Sequence, residues 1–505
     1  MSEQFDVVII GAGISGVTAT YHLQKYSPNK SYVVLERRAD MGGTWDLFKY
    51  PGVRSDSDMF TLGFNFKPWL GEKSITTGES ILSYVKETAS EIGMRDHIRF
   101  NRSVVEARWS NQEALWTLTV QNGEQTETIT TRFIVSCAGY YDYDKGYDPG
   151  FEGRDTFSGD IIHPQFWPEN YDYEGKNVVV IGSGATAVTM VPAMTDKAKH
   201  VTMLQRSPTY MAYMPAEDGF AKWARKLLPT KMAYSISRWK NILFTMMVYM
   251  ISRKNPELMK KILLGRIRGQ LEKHIDVDKH FIPAYNPWDQ RLCAVSDGDL
   301  FKAIRAGKAG VVTDHIDTFD ETGIKLKSGE RIDADVVVTA TGLVLKPLGG
   351  IKVYMDGKYI DYGTVMNYKG LMASGVPNFA AIFGYTNASW TLKADLSAKY
   401  ITRLLNHMDE HGYDYCQAEI KDTYVREEPI EDLQAGYFMR AAHLLPKQGH
   451  IRPWKLYQNY IQDMINLRYQ KVTDNAMTFY RVAIISLNPS DKVLKHRQEL
   501  HNHKG

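Results

Sequence analysis

One arrangement of residues constrains this chain more than any other, and it occurs twice. Residues 5–10 (FDVVII) form a short β-branched apolar run that reads as a strand buried on both faces. GAGISG (11–16) follows at once, then the helix-like VTATYHLQKY, then a second apolar run, Tyr32 to Leu35, ending in Glu36. Further along, NVVVI (177–181) runs into GSGATA (182–187), the helix-like AVTMVPAMT, and the strand HVTML ending in Gln205 and Arg206. A glycine turn between a strand and a helix is built for a dinucleotide. Gly11 allows the tight turn, Gly13 lets backbone N–H groups approach a pyrophosphate, and Gly16 lets the helix pack closely on the sheet. Ile14 and Ser15 open the helix whose N-terminus favours that anion. Gly182, Ser183, Gly184, Ala185 and Thr186 take the corresponding places in the second unit.

The two units end on opposite charges. Glu36 can accept hydrogen bonds from ribose hydroxyls and repels a 2′-phosphate. Arg206, followed by Ser207, pairs with a 2′-phosphate and favours NADPH over NADH. Two dinucleotides with one hydride donor imply FAD at the first turn and NADPH at the second. The expected fold is α/β, with two Rossmann-like dinucleotide-binding domains and a helical insert in the second. Residues 1–145 begin the FAD domain and 146–215 begin the NADPH domain with its linker. Residues 216–285 form the insert, 286–342 complete the NADPH domain, and 343–505 return to the FAD domain and supply pocket walls. Two more strands are expected at Phe133 to Gly139 and Val336 to Gly342, and an amphipathic helix at Leu392 to Met408.

Composition narrows the reading. At 44% hydrophobic and 24% charged residues, wholesale disorder and a polytopic membrane protein are excluded. Cys137, Cys293 and Cys416 are odd in number with no CxxC, so neither a disulfide framework nor a metal site is expected. The N-terminus lacks a basic region before its short apolar run and is not a signal peptide, so a cytoplasmic location is expected. No nucleic-acid partner is expected, and the oligomeric state stays open. The net charge of +3 hides an asymmetry: residues 222–273 hold 13 Lys and Arg against two acids. A solvated helical insert is the first expectation there, ahead of a membrane-surface or anionic-ligand patch. Ile242 to Ile251 has ten residues, about half a bilayer span, and is expected to be a buried helix face. Shallow peripheral membrane contact is the second reading.

Two further stretches carry a family resemblance. Phe157-Ser-Gly159-Asp-Ile-Ile-His163-Pro-Gln-Phe-Trp167-Pro168 resembles the FxGxxxHxxxWP fingerprint of type I Baeyer–Villiger monooxygenases, with every fixed position filled. Residues 42–56 (GGTWDLFKYPGVRSD), with Gly43, Thr44, Trp45 and Asp56, look like that family's second fingerprint. The segments YNPWDQRLCAVSDGD (285–299), YTNASWTLKADL (385–396) and KQGHIRPW (447–454) are similar to its ethionamide-activating subgroup.

The resemblance implies that NADPH reduces FAD and that O2 adds to give a C4a-peroxyflavin. Ketones then become esters or lactones, and sulfides and thioamides are oxygenated at sulfur. It also implies Arg291 as the active-site arginine and Asp56 as the acid that holds it. His163 belongs to a hinge rather than to proton transfer, because a base must first lie within reach of its proton. Many relatives carry Lys where this chain has Gln290, which leaves NADPH selectivity mainly to Arg206 and Ser207. The pocket is expected between 285–292, the tail around Trp454 and the basic insert. The nearest alternative is a flavin-containing monooxygenase making only N- or S-oxides. An FAD-dependent disulfide reductase would need a cysteine pair, and an NADPH sensor would consume no O2.

Overall fold

The computed structural model describes residues 3–429 and 435–482, with the short strand Arg497–Glu499. The rest of the C-terminal segment 343–505 lies outside the described residues.

The first apolar run becomes the strand Glu3–Ile10, flanked in parallel by Tyr32–Leu35 on one side and Gln125–Ser136 on the other. Its side chains alternate between two cores. Val7 and Ile9 pack beneath the helices Ile14–Tyr26 and Trp390–His411, while Val8 and Ile10 face a cluster holding Trp109, Trp116 and Tyr415. Burial on both faces is why the run has no polar alternation. Phe379–Ala381 continues the sheet in parallel beside Gln125–Ser136. Ser103–Ser110 and Leu115–Asn122 extend it antiparallel, and Lys352–Met355 joins its far side.

A second sheet has five parallel strands in the order Ala309–Thr313, His200–Gln205, Asn177–Ile181, Val336–Thr339, Asp160–Ile162. Two strands end three residues earlier than the sequence suggests, at Ser136 and Thr339, because the chain turns out of each sheet through Gly139 and Gly342. The expected helix from Leu392 is longer at both ends, spanning Trp390–His411. The chain crosses between the sheets twice, and the crossings Tyr141–Gly146 and Leu343–Leu345 pair antiparallel.

Helices Gly219–Leu227, Thr230–Lys254, Pro256–Leu271 and Val277–Phe281 fill the basic region. Asn255 ends the long helix and caps the next, accepting from Leu258 N, while Pro256 fills the first-turn position that needs no donor. The expectation that Ile242 to Ile251 is a buried face is corrected here. Ile242 is buried, but Leu243 and Phe244 are 51% and 58% exposed, and Met247 and Met250 are exposed too. The reason lies on the opposite face. Arg238 donates to the carbonyls of Phe60 (2.7 Å), Gly63 (2.8 Å) and Thr61 (3.3 Å), and Asn241 to the Asp58 carboxylate (2.8 Å). The helix docks by its polar side. Among the described residues, no helix is long and apolar enough to cross a membrane.

Candidate active site

Both glycine turns open on one cavity of about 910 Å3. The first turn is tight. Gly11 has φ +101°, and a Cβ there would lie 2.6 Å from the Cys137 carbonyl oxygen. A Cβ at Gly16 would lie 2.1 Å from the Gly11 oxygen, so the helix rests on the turn itself. Gly16 therefore packs rather than lines the cavity, whereas Gly11, Gly13, Ile14 and Ser15 line it. Gly13 faces Gly43, whose Cα lies 3.5 Å from where a Gly13 Cβ would sit, leaving a side-chain-free slot. Thr44 and Trp45 follow on its wall. From far along the chain, Trp390 Nε1 donates to Ser15 Oγ at 2.7 Å.

Glu36 ends its strand buried, accepting from Ala12 N (2.8 Å) and Arg38 N (2.9 Å). Burial raises its carboxyl pKa, against the pull of these two N–H groups. Each oxygen retains acceptor capacity for a ribose hydroxyl.

The second turn is equally tight at its first glycine, where a Cβ at Gly182 (φ +135°) would lie 2.4 Å from the Ala340 oxygen, but open at its second. Nothing lies within 4 Å of a Cβ at Gly184, and Gly184 and Ala185 are exposed. Gly182, Ser183, Gly184, Ala185 and Thr186 all line the cavity. Ser183 Oγ meets Thr209 Oγ1 at 2.8 Å and donates to the Ser207 carbonyl at 3.1 Å. Arg206 and Ser207 stand exposed on the rim, which Lys327 shares. Lys327 was not anticipated from sequence. It reaches the rim because its N–H donates to the His315 carbonyl and the neighbouring Asp314 N–H to that of Gln205.

Between the turns sits Arg291. Trp288, with φ 71°, turns the chain before the strand Cys293–Ser296 and delivers Gln290, Arg291 and Leu292 to the wall. Arg291 Nη1 lies 3.7 Å from Asp56 Oδ2, and its buried Nε has no hydrogen-bond partner. Burial works against its charge, but Tyr437, Tyr140, Tyr141 and the Asp56 carboxylate outweigh it and hold the pKa well above the ordinary guanidinium value. Arg291 is a permanent cation aimed at the cavity. Asp56 is fixed from both sides: Arg54 pairs with Asp299, and Asp58 caps the helix Met59–Leu62.

The linker fingerprint lies away from the cavity. Asp160–Ile162 is the edge strand of the second sheet, and a Cβ at Gly159 would lie 2.3 Å from the Asp335 oxygen. Phe157 packs edge-on to Phe319, and Trp167, leading into Pro168, packs against Tyr171 and Tyr173. His163 Nδ1 accepts from Gln165 N at 3.2 Å, which leaves Nε2–H to donate to the Gly342 carbonyl at 3.2 Å. Its ring lies against Gly146. Burial lowers its pKa despite the Gly342 bond. Both ring nitrogens are engaged where the two crossings meet.

Two expected walls are elsewhere. Trp454 is a core residue packed on Tyr368, and the basic insert does not line the cavity. Their places are taken by Tyr385, Ala388, Ser389 and Trp390 and by Ala435, Tyr437 and Arg440, the last stacked over Tyr147 at 3.5 Å. Cys137, Cys293 and Cys416 are free and buried, and burial pushes the Cys293 thiol up to about 12.

One mixed and one parallel sheet, each with a glycine turn facing a shared cavity that holds a permanent cation, define a two-dinucleotide oxidoreductase. The flavin-binding monooxygenase-like family model matches residues 73–348, and an NAD(P)-binding Rossmann-like domain matches 9–68. FAD-containing monooxygenase EthA of Mycolicibacterium smegmatis is 53% identical over 487 residues, covering 96% of this chain and 99% of that protein. The probable FAD-binding monooxygenase AlmA of Acinetobacter baylyi is 49% identical, covering 95% and 97%. A steroid monooxygenase solved with NADP has a TM-score of 0.75 at 21% identity, over 94% of this chain and 99% of that one. The chain belongs to the flavin-binding monooxygenase-like family, as an NADPH-dependent flavin monooxygenase of class B.

Proposed function

We propose that the protein inserts one oxygen atom of O2 beside a ketone carbonyl, giving an ester or lactone, and also oxygenates sulfides and thioamides. For the ketone the balance is ketone, NADPH, O2 and a proton in; ester, NADP+ and water out. The residues fit the two cofactors. The slot between Gly13 and Gly43 and the acceptor Glu36 suit FAD, while the open turn at Gly184 with Arg206 and Ser207 suits NADPH. FAD held there would supply the hydride acceptor for NADPH and the O2 chemistry.

The observation that carries the reading is Arg291, a charged guanidinium with an unsatisfied buried Nε facing the cavity between the turns. Negative charge that builds on a carbonyl oxygen is stabilised by a fixed cation that cannot give up its proton. Asp56, 3.7 Å away, orients that cation without sitting tightly enough to neutralise it. Tyr140, Tyr141 and Tyr437 line the same space and pack in one apolar cluster.

The test is product analysis with an unhindered methyl ketone and a thioether, run with NADPH in air. Ester from the ketone, matched to NADPH consumed, supports the reading. Sulfoxide without any ester would replace it with an enzyme making only N- or S-oxides.

A further inference from the structure

The insert presents a surface that the oxygenation reading does not use. Along the helix Thr230–Lys254, Met232, Ile236, Trp239, Leu243, Met247 and Met250 are all exposed, at spacings of three and four, so they form one outward stripe. Phe244 stands beside it. A helix at a protein surface normally turns such a stripe inward. Here the inward side holds Arg238, tied to the backbone of residues 60–63, and Asn241, tied to Asp58 and Asp218, with Ser237 buried beside them. The stripe is therefore left outside by construction, because the polar face is already occupied. The two neighbouring helices add to it: Phe220, Trp223 and Leu227 are exposed on Gly219–Leu227, and Leu258 and Ile262 on Pro256–Leu271.

Charge identifies the occupant. Lys226, Lys231, Lys254, Lys261 and Arg266 of these helices are exposed, and none belongs to a salt bridge among the described residues. An apolar ridge with Trp, Leu, Phe and Met, rimmed by unpaired cations, complements acyl chains at the level of anionic headgroups. The helix has 25 residues, about 37 Å, and lies flat rather than spanning. A second copy of this chain is a poorer occupant, since docking the same face would bring two sets of unpaired cations together.

We propose that the helices spanning 219–271 form an interfacial membrane-docking surface, with the stripe immersed at the headgroup boundary of an anionic bilayer. The long helix also touches both segments that carry the cavity's charged pair. Asn241 donates to Asp58, two residues after Asp56, Arg253 pairs with Asp289 at 2.9 Å, and Tyr249 packs edge-on to Trp288. A bilayer at this face thus lies against the elements that shape the cavity, which suits a substrate delivered from lipid.

The test uses purified flavin-loaded protein and sedimentation with unilamellar vesicles. Binding to vesicles containing phosphatidylglycerol, weaker with phosphatidylcholine alone and reduced at high salt, is expected. The double substitution Leu243→Ser and Phe244→Ser should weaken binding at least about tenfold, and Lys231→Glu with Lys254→Glu by a similar factor. Flavin content and oxygenation of a water-soluble substrate should stay unchanged in both, since none of these residues touches the cavity. Absence of vesicle binding, or binding indifferent to all four substitutions, overturns the proposal. A stable dimer that dissociates on Leu243→Ser and Phe244→Ser overturns it in favour of a second copy.

Discussion

The two glycine turns are equally tight at their first glycine, where a Cβ would meet a backbone oxygen at 2.6 Å in one and 2.4 Å in the other, and differ further along. In the first, the third glycine is Gly16, and a side chain there would strike the Gly11 oxygen at 2.1 Å. In the second, the same place holds Ala187, fully buried, so that helix stands far enough off its strand to admit a methyl group. The first turn ends in a buried Glu36, the second in an exposed Arg206. The contrast sets an enclosed carboxylate at one ribose end against an exposed guanidinium at the other.

The strongest way to break this comparison is to add a methyl group at the closed third position of the first turn and at the open second position of the other. Gly16→Ala should cost at least the ~1–3 kcal/mol typical of overpacked cores, because the obstacle is backbone and cannot rotate away. The expected product is colourless or poorly folded protein. Gly184→Ala should fold and keep its flavin, since its Cβ meets nothing within 4 Å. Flavin absorbance per chain and thermal melting read both, and a fully yellow, stable Gly16→Ala variant would end the distinction.

Arg291, placed between the turns, separates what each one does. Arg291→Ala should leave anaerobic flavin reduction by NADPH largely intact, yet lower ester formation by about 10²–10³, the usual loss for one oxyanion stabiliser. Stopped-flow reduction followed by product and hydrogen peroxide assays in air checks this. Ester yield near wild type would show that the cation is a bystander.

A smaller effect sharpens the contrast at the ribose ends. Arg206→Ala should reduce kcat/KM for NADPH by about 10- to 100-fold, the size of a charge-assisted contact, with little change for NADH. Residual preference for NADPH would be expected to rest on Lys327, and Arg206→Ala with Lys327→Ala should remove it. Equal losses with both coenzymes would contradict the assignment.

The smallest effect concerns the joint between the halves. His163 is held neutral, its folded pKa below the ordinary value of about 6.5. The unfolded chain therefore takes up the proton first as pH falls. The stabilisation is complete above about 6.5, declines below it, and levels off beneath the lowered folded value. Thermal melting from neutral to mildly acidic pH should show this component in the wild type, and His163→Gln should lose it. An unchanged profile in the variant would assign the pH dependence to other groups.

What was legible in the sequence follows from range. Strand, turn and helix lie within about thirty residues, so FDVVII with GAGISG and NVVVI with GSGATA could be read locally. Arg291 could not; beside Trp288, Asp289 and Gln290 it resembles any surface arginine, and only the family-like segment singled it out. Trp390 reaches Ser15 across 375 residues of sequence, a contact no periodicity announces. Trp454 was misplaced because an aromatic in a loop-rich tail reads equally as a pocket wall or as core. The insert was misjudged differently. Its three-and-four spacing was present in the residues, but which face turns inward depended on Arg238 finding carbonyls in residues 60–63.

The pairing of Phe379–Ala381 with Gln125–Ser136 also dictates an order of assembly. Helix Ile14–Tyr26 is covered by Trp390–His411, with Ser27 donating to Asn406 at 2.7 Å and His22 against Asp395 at 2.9 Å. As the ribosome delivers the chain from its N-terminus, residues 3–136 emerge without these partners and must wait for them. The second sheet draws every strand from residues 160–339 and is complete while they are still being synthesised. The domain that begins first on the ribosome is the last to close, around a neighbour already folded.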